Sequence, residues 1–452
     1  MKEPNFSVII LAAGKGTRMK SPLPKVLHPV AGVPMIYKTI ETVKEAGAGE
    51  IRVIVGFGEN LVRQVVEPIG GVCFKQKVQN GTAKAVEAAK PDDLTGTTLI
   101  LNGDHPLLTP EDIKQIVNEH IKKSNDLSVV SCELDDGKSF GRIVRHHGQL
   151  RAIVEAKDAS HDTLKIKEVN TGVYITDAEL LSEYLPMISC HNAQGEYYFT
   201  DIVSLCQEKG QKVGAIIGNA RIAFGVNNQK ELSMATKEVF KNKINQLLDD
   251  GVIVIDPDST YVEEDVTVGE GTILYPGVYL KEKSKIGKYC IIEPNVFIQN
   301  SEVGDSVEIK AGSYLTKCFV GNKTKVGPYA HLRPETVIGE EAKIGNFVEM
   351  KKVKFGNKSK ASHLTYLGDA IIGEDVNIGC GTITCNYAAD KKKYVTKIGD
   401  GSFIGSDSQF VAPVEVGKNT VIGSGSTITK DVPDNALAVA RGKQVIKENY
   451  RK

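Results

Sequence analysis

Three groups of residues in this chain have types and spacing that can do chemistry. The first is Gly14-Lys15-Gly16-Thr17-Arg18-Met19, followed closely by Leu23-Pro24-Lys25. A glycine loop can turn backbone N–H groups toward phosphate oxygens, and Arg18 and Lys25 add two cations. That combination suits a triphosphate, whose charge must be neutralised before a nucleophile can approach. The glycines alone are equally compatible with a tight turn chosen for packing. Two familiar phosphate motifs are absent: a dinucleotide fingerprint needs glycine where Met19 stands, and the P-loop spacing does not occur. The second group is Asn102-Gly103-Asp104, just past an apolar run. A carboxylate there can hold Mg2+, which takes few protein ligands and keeps water and phosphate oxygens for the rest; it also suits a turn or a helix cap. The third group is His363 with Arg333 and Lys351. A histidine near neutrality can take a proton from an attacking group. The two cations can hold a phosphate. A lone histidine is otherwise an ordinary surface or packed residue.

These groups need elements to position them. Ser7–Ala13 reads as a buried strand opening into the glycine loop. Strands at Ile51–Val55, Thr98–Leu101 and Leu127–Val130 alternate with helices at Met35–Ala46, Ala83–Ala89 and Asp112–Lys122, which predicts βαβ units and a mostly parallel sheet. Ligands bind such sheets at the carboxyl ends of strands. From about Val262 to Val432 a different rule holds. Units such as Val268-Gly269-Glu270-Gly271-Thr272-Ile273 and Ile338-Gly339-Glu340-Glu341-Ala342-Lys343 recur every six residues, with an aliphatic residue first, glycine usually second and a small or β-branched residue fifth. A short fixed period means a solenoid, with the aliphatic residues inside and the glycines at tight corners. The beat is disturbed at Ala361–Asp369 and from Thr382 to Thr396, which must leave the coil as a loop. Between the halves Gln229–Leu248 reads as a helix. The domains are therefore 1–228, a linker helix 229–250, and 251–452.

Bulk properties bound the possibilities. A chain of 452 residues exceeds one ordinary core. Its 56 basic and 56 acidic residues cancel, so no global field draws nucleic acid or membrane. No apolar stretch is long enough to span a bilayer, and Met1–Asn5 carries no signal-peptide pattern. Eight scattered cysteines without a Cys-x-x-Cys pair suit reduced thiols in a cytoplasmic protein.

Leu11-Ala12-Ala13-Gly14-Lys15-Gly16-Thr17-Arg18-Met19 with Pro24-Lys25 resembles the signature of sugar-1-phosphate nucleotidyltransferases. Joined to the hexapeptide half, the chain resembles the GlmU family of bifunctional uridyltransferase–acetyltransferases over nearly its whole length. The resemblance implies an α/β nucleotidyltransferase domain, Rossmann-like with a mostly parallel sheet, followed by a left-handed parallel β-helix of hexapeptide repeats. It implies nucleotide and sugar binding by Leu11, Ala12, Ala13, Gly14, Lys25, Gln76, Gly81, Thr82, Asn102, Gly103, Asp104, Gly141, Glu155, Asn170 and Asn227. Gln76 and Gly81-Thr82 belong to the uracil side; Gly141, Glu155 and Asn170 to the sugar. Asp104 and Asn227 match the Mg2+ ligands, and Arg18 and Lys25 the catalytic cations. Gln194–Asp201 matches an active-site wall. Asn80, Lys84 and Asn102 depart from the usual family residues.

In the back half the segments Gly327–Pro334, Gly345–Lys352 and Ser359–Asp369 resemble the acetyltransferase site of the family. The resemblance implies His363 as general base, Arg333 and Lys351 on phosphate, Tyr366 and Asn377 on the sugar, and Cys380, Asn386, Tyr387, Ser406, Ser424 and Arg441 on acetyl-CoA. Cys380 and Ser362 replace a usual alanine and glycine, and Ala388-Ala389-Asp390 with Lys391-Lys392-Lys393 makes a longer loop than usual, expected to reach a neighbouring subunit. The implied activity is acetyl transfer from acetyl-CoA to glucosamine-1-phosphate, then uridylyl transfer from UTP to N-acetylglucosamine-1-phosphate. Its product, UDP-N-acetylglucosamine, feeds cell-wall and lipopolysaccharide precursors. The partners expected are small-molecule substrates and two further copies of the chain in a homotrimer. Two other readings compete: a nucleotidyltransferase whose solenoid is only structural, and a non-catalytic binding subunit. The His363 segment with its two cations argues against the first; Lys25, Asp104 and Asn227 argue against the second.

Overall fold

The computed structural model describes residues 6–137, 139–192 and 194–451. Met1–Asn5, read above as lacking a signal peptide, lie outside the described residues. The chain forms two compact units, Met1–Val239 and Phe240–Lys452.

In the first unit, strand Phe6–Ala12 lies mid-sheet, parallel to Ala48–Val55 on one side and Thr97–Asn102 on the other. Its side chains alternate between two apolar layers, Val8 and Ile10 entering one and Ile9 the other, so a strand covered on both faces reads as a continuous apolar run. Val72–Lys75 extends the sheet in parallel. Glu168–Asp177 runs antiparallel to both Thr97–Asn102 and Leu127–Glu133, and Val213–Ile217 closes that edge. A hairpin of Arg142–His146 and Gln149–Val154 is attached to the Glu168–Asp177 strand through Arg142 opposite Val169. The three helices expected from the sequence are present as Met35–Glu45, Thr82–Ala88 and Pro110–Lys123. The last begins with a capping box between Thr109 and Asp112, which satisfies otherwise orphaned helix N–H groups. Arg221 donates Nε and Nη2 to the same Asp112 carboxylate, both at 2.9 Å, and so ties the segment leading to Asn227 onto that helix.

Helix Gln229–Asp249 spans the boundary between the units. It is not a bare linker. Gln229 Nε2 donates to Met19 O at 3.0 Å in the first unit, while Ile244 and Leu247 belong to the core of the second.

The second unit is a parallel β-helix. Short strands stack in coils, Thr267 opposite Lys285 and Ile273 opposite Ile291, and the first residue of each hexad fills one continuous apolar interior. Hydroxyls at the fifth place stitch the coils. Thr324 Oγ1 donates to Gly339 O at 2.8 Å and accepts from Ala342 N at 3.1 Å; Ser359 does the same with Gly373 O and Val376 N at 2.7 and 2.9 Å. Each such bond contributes about 0.5–1.5 kcal/mol net.

One expectation needs correcting. The second-place glycines do not serve left-handed corners: the corners with positive φ hold mostly other residues, such as Lys323 at +58° and Glu341 at +55°. Glycine is required at the second place because coils stack too closely there. A Cβ on Gly321 would lie 2.7 Å from the carbonyl carbon of Gly339, and one on Gly269 2.8 Å from that of Gly287. Ala361–Asp369 disturbs the beat as expected, yet it stays on the coil: it lies within strand Lys360–Ile372, paired along its length with Lys343–Phe355, and its inward residues Leu367 and Ile372 stand five positions apart instead of six. The preceding coil drops a residue at the same place, between Leu332 opposite Met350 and Val337 opposite Lys354, so the two remain in register with each other. The second interruption is a loop as expected, but narrower. Ile383–Cys385 and Thr396 remain on the coil, and residues 386–395 leave it, closed by bridges between Tyr387 and Lys393 and from Tyr394 N to Asn386 O.

Candidate active sites

In the first unit two cavities open at the carboxyl ends of the central strands. The smaller, about 300 Å3, is lined by Leu11, Ala12, Ala13, Gly14, Lys25, Gln76, Gly81, Thr82, Asn102 and Asp104. The larger, about 540 Å3, is lined by Arg18, Asn102, Asp104, Gly141, Glu155, Asn170 and Asn227. Thus every residue expected on the nucleotide or sugar side except Gly103 faces one cavity or the other. Gly103 acts behind them: its N–H donates to Leu11 O at 2.9 Å, and a Cβ there would meet Ile36 at 2.9 Å. Asn102 and Asp104 line both cavities, so ligands in the two would meet at Asp104.

Local structure explains the positions. Gly16 has φ +64°, and a Cβ on it would lie 2.7 Å from Lys25 Cβ; glycine lets the loop fold against the lysine stem. Gly14 has nothing within 4 Å of a built Cβ. Its bareness leaves room at the cavity wall rather than serving packing. The Gly81–Thr82 turn is held from outside by the wall segment: Ala83 N donates to Tyr197 O at 3.0 Å, Tyr197 N to Asn80 O at 3.0 Å and Phe199 N to Thr82 Oγ1 at 2.9 Å. Gln76 Nε2 donates to Gly81 O at 3.2 Å. The sequence reading missed Gln79, whose Nε2 donates to Ala13 O at 2.7 Å and ties that turn to the glycine loop.

Charges concentrate where the cavities meet. The Lys25 ammonium contacts Asp104 Oδ2 and donates to Asn227 Oδ1 at 3.2 Å, and Arg18 Nη2 reaches the same Asn227 oxygen at 2.9 Å. Burial alone would push the Asp104 carboxyl up, but the Lys25 and His105 charges outweigh it and hold Asp104 below the usual range. His105, also overlooked in the sequence, is buried with Nε2 3.8 Å from Asp104 Oδ1, and burial pushes its pKa down. Burial likewise raises Glu155, helped by the Asp158 and Asp201 charges.

The donor set fits a hard divalent cation. The oxygens of Asp104 and Asn227 converge on one point, at present held by the Lys25 ammonium, and both are the oxygen type that Mg2+ prefers. Among the described residues there is no cluster of three or more His, Cys, Asp or Glu side chains suited to a metal, so any cation here would take most of its ligands from substrate and water.

In the second unit the corner at Leu364 separates two faces of the coil. His363 stands on one, opposite Asn346. Asn346 Oδ1 lies 2.8 Å from His363 Nδ1; an acceptor there keeps the proton on Nδ1 and leaves the Nε2 lone pair free. Asn346 was missed, although it sits one coil before His363 and the coil repeat could have found it. Asn377 is on the same face, one coil on, between Lys360 and Phe403. Arg333, Lys351 and Tyr366 occupy the next face, where Lys351 pairs with Gly368 and Tyr366 with Glu349. Arg333 Nη1 donates to Glu349 Oε1 at 2.6 Å. A Cβ on Gly368 would lie 2.5 Å from the Tyr366 hydroxyl and 2.8 Å from Asn386 Nδ2, which places those two groups side by side. Asn386 is buried and bonded to Asp369, whereas Tyr387 is exposed.

The lysine loop adds a cation. Close contact with Lys393, together with its charge, pushes Lys351 below the ordinary lysine range; Arg333 adds to this and Asp369 opposes it. Three cations gathered on one face are suited to a phosphate dianion. Four of the six expected acetyl-CoA residues, Cys380, Ser406, Ser424 and Arg441, form a column running up from His363, while Asn386 and Tyr387 belong to the loop that leaves the coil. Gly381 N donates to Leu364 O at 3.0 Å, Asp407 N to Cys380 O at 2.7 Å and Gly425 N to Ser406 O at 2.8 Å, and Arg441 Nη1 donates to Ser424 O at 2.6 Å. Cys380 is exposed in that column.

Comparison with known proteins covers both units. Residues 8–163 match the MobA-like NTP transferase domain family, residues 257–359 the GMPPB C-terminal domain family, and residues 396–430 the bacterial transferase hexapeptide family of six repeats. The hexapeptide match agrees with a left-handed β-helix. The chain is 62% identical over 445 residues to the Bifunctional protein GlmU of Bdellovibrio bacteriovorus, covering 98% of this chain and 97% of that one. It is 44% identical over 446 residues to that of Carboxydothermus hydrogenoformans, covering 98% and 99%. It is 45% identical over 450 residues to that of Trichlorobacter lovleyi, covering 98% and 97%. Identity at this level across both units, and not across one alone, makes the chain a member of the GlmU family.

Proposed function

We infer that the chain is a bifunctional enzyme of UDP-N-acetylglucosamine synthesis, an acetyltransferase in the β-helix and a uridyltransferase in the sheet unit. One observation supports the reading: a single chain holds two cavities that meet at Asp104 beside Arg18 and Lys25 and, separately, a histidine bonded to Asn346.

At the β-helix site the phosphate of glucosamine-1-phosphate is held by Arg333, Lys351 and Lys393, and its sugar by Tyr366 and Asn377. His363 Nε2 takes a proton as the amine attacks the acetyl carbonyl, and coenzyme A leaves as the C–S bond breaks. The column Cys380, Ser406, Ser424 and Arg441 supports the extended donor, with Asn386 and Tyr387 near its acetyl end. At the sheet site UTP enters the smaller cavity, with uracil toward Gln76, Gly81 and Thr82 and phosphates along Gly14. N-acetylglucosamine-1-phosphate enters the larger, against Gly141, Glu155 and Asn170. Its phosphate oxygen attacks the α-phosphorus of UTP, and the bond to the pyrophosphate oxygen breaks. Arg18 and Lys25 neutralise the charge that develops. Asp104 and Asn227 would hold Mg2+, which when bound supplies further charge neutralisation at the phosphates. On this reading Lys25 exchanges Asp104 for substrate oxygens when substrate arrives.

The working form is a homotrimer in the cytoplasm; sedimentation velocity at the mass of three chains is the expected result, and a monomer that retains both activities would refute it. Free coenzyme A should appear on mixing acetyl-CoA with glucosamine-1-phosphate, and pyrophosphate on mixing UTP with N-acetylglucosamine-1-phosphate. Absence of the first would reduce the protein to a nucleotidyltransferase on a structural solenoid.

A further inference from the structure

Arg142 is almost fully buried, at 3% exposure, at the start of strand Arg142–His146. None of the chemistry above uses it. Its guanidinium donates Nη1 to Gly137 O at 3.1 Å and also to Phe140 O, and Nε to Leu164 O at 3.3 Å. Phe140 N closes the same turn onto Gly137 O at 3.0 Å. The fit is tight from the other side as well: a Cβ on Gly137 would lie 2.7 Å from the guanidinium carbon. The segment held in this way carries Asp135, Asp136, Ser139, Phe140 and Gly141 into the wall of the larger cavity. Gly141 O in turn accepts from Asn170 N at 2.9 Å, which joins that wall to the neighbouring strand Glu168–Asp177.

We propose that Arg142 is a positioning residue for the sugar-phosphate subsite, fixing the wall that carries Asp135, Asp136, Ser139, Phe140 and Gly141 by clamping the carbonyls of Gly137, Phe140 and Leu164 with one guanidinium. The proposal rests on the reading of the larger cavity as that subsite. The physical reason is the planar fork. Arginine presents several N–H donors in one fixed plane and can hold carbonyls from two chain segments at once, whereas lysine is a point charge on a flexible stem. Several carbonyl dipoles also offset the cost of burying the charge. The carbonyls that Arg142 holds, those of Gly137, Phe140 and Leu164, lie outside the smaller cavity's lining, so its effect falls on the sugar substrate.

The test is steady-state pyrophosphate release by Arg142→Ala and Arg142→Lys in the full chain, varying each substrate separately. The KM for N-acetylglucosamine-1-phosphate rises about tenfold or more, as expected when a binding wall is displaced by a fraction of an ångström, while the KM for UTP and the acetyltransferase rate of the same chain stay within a factor of about two of wild type, a margin near 0.4 kcal/mol. Added guanidinium ion restores the sugar KM of Arg142→Ala, and methylammonium does not. A sugar KM unchanged in both variants, or a rise shared equally by UTP, overturns the proposal. If Arg142→Ala does not fold, Arg142→Lys decides the matter by the same KM comparison. A wild-type protein with no sugar-dependent pyrophosphate release would instead overturn the assignment of the cavity itself.

Discussion

Asp104 and His363 each stand at one site, and each should be separable from the other by a single substitution. On the proposed mechanism His363→Ala removes the base that frees the amine and is expected to lower acetyl transfer by about 10^2–10^4-fold, with uridylyl transfer intact. Asp104→Ala is expected to do the reverse; the pair of assays on each purified variant decides it, and loss of both activities in a folded protein would refute the independence of the sites. Asn346→Ala leaves the base in place but unoriented, so the loss of acetyl transfer should be smaller than for His363→Ala. Glu155 gives a pH test. Burial raises its folded pKa above the unfolded value. The folded state therefore binds the proton more tightly, and the stability this contributes is full below the unfolded pKa and lost as pH rises through the folded one. Glu155→Gln should accordingly raise the melting temperature of the first unit in alkaline buffer, with less gain under acid, and raise the KM for the sugar phosphate. A gain that is larger in acid would show that the sign is wrong.

At the scale of elements, the hexad glycine and the hexad corner make opposite predictions. Gly321→Ala places a Cβ against the backbone of the next coil, where nothing can swing aside, and should cost about 1–3 kcal/mol, as overpacking does. Lys323→Gly, at a corner with φ +58°, should be near neutral, because the strain it relieves offsets the freedom it adds to the unfolded chain. Chemical denaturation of the two variants distinguishes coil spacing from corner geometry as the reason for glycine. The same elements show what was legible beforehand. The parallel strands and their helices were readable because a strand buried on both faces is apolar throughout, and because the helices have their own period. The five-residue units were legible only as a disturbed beat: the spacing of Leu367 and Ile372 shows that a residue is missing, but not that the neighbouring coil drops one between Met350 and Phe355 and so stays paired.

For the whole molecule, the division of labour between the units predicts how the chain can be cut. A fragment of residues 1–250 keeps Asn227 and the helix that follows it, and should retain uridylyl transfer. A fragment starting at Gly251 lacks Ile244 and Leu247, which belong to the core of the second unit. It should melt at a lower temperature than one starting at Gln229, and thermal denaturation of the two fragments checks this. No helix among the described residues is long and apolar enough to cross a membrane.

What the amino-acid sequence determined by itself was the type of each half and most of the residues that line the two cavities of the first unit. Glycine loop, flanking cations, hexad period and histidine segment are all local patterns, and local patterns survive in one dimension. Only the tertiary structure decided that Asn102 and Asp104 lie between two cavities, that Lys25 and Arg18 share one oxygen of Asn227 more than two hundred positions away, that Asn346 orients His363, and that Arg142 clamps a wall whose turn begins five residues before it. Those facts depend on distances between segments far apart in the chain or folded back on themselves, and such distances are set by how strands pair and coils stack.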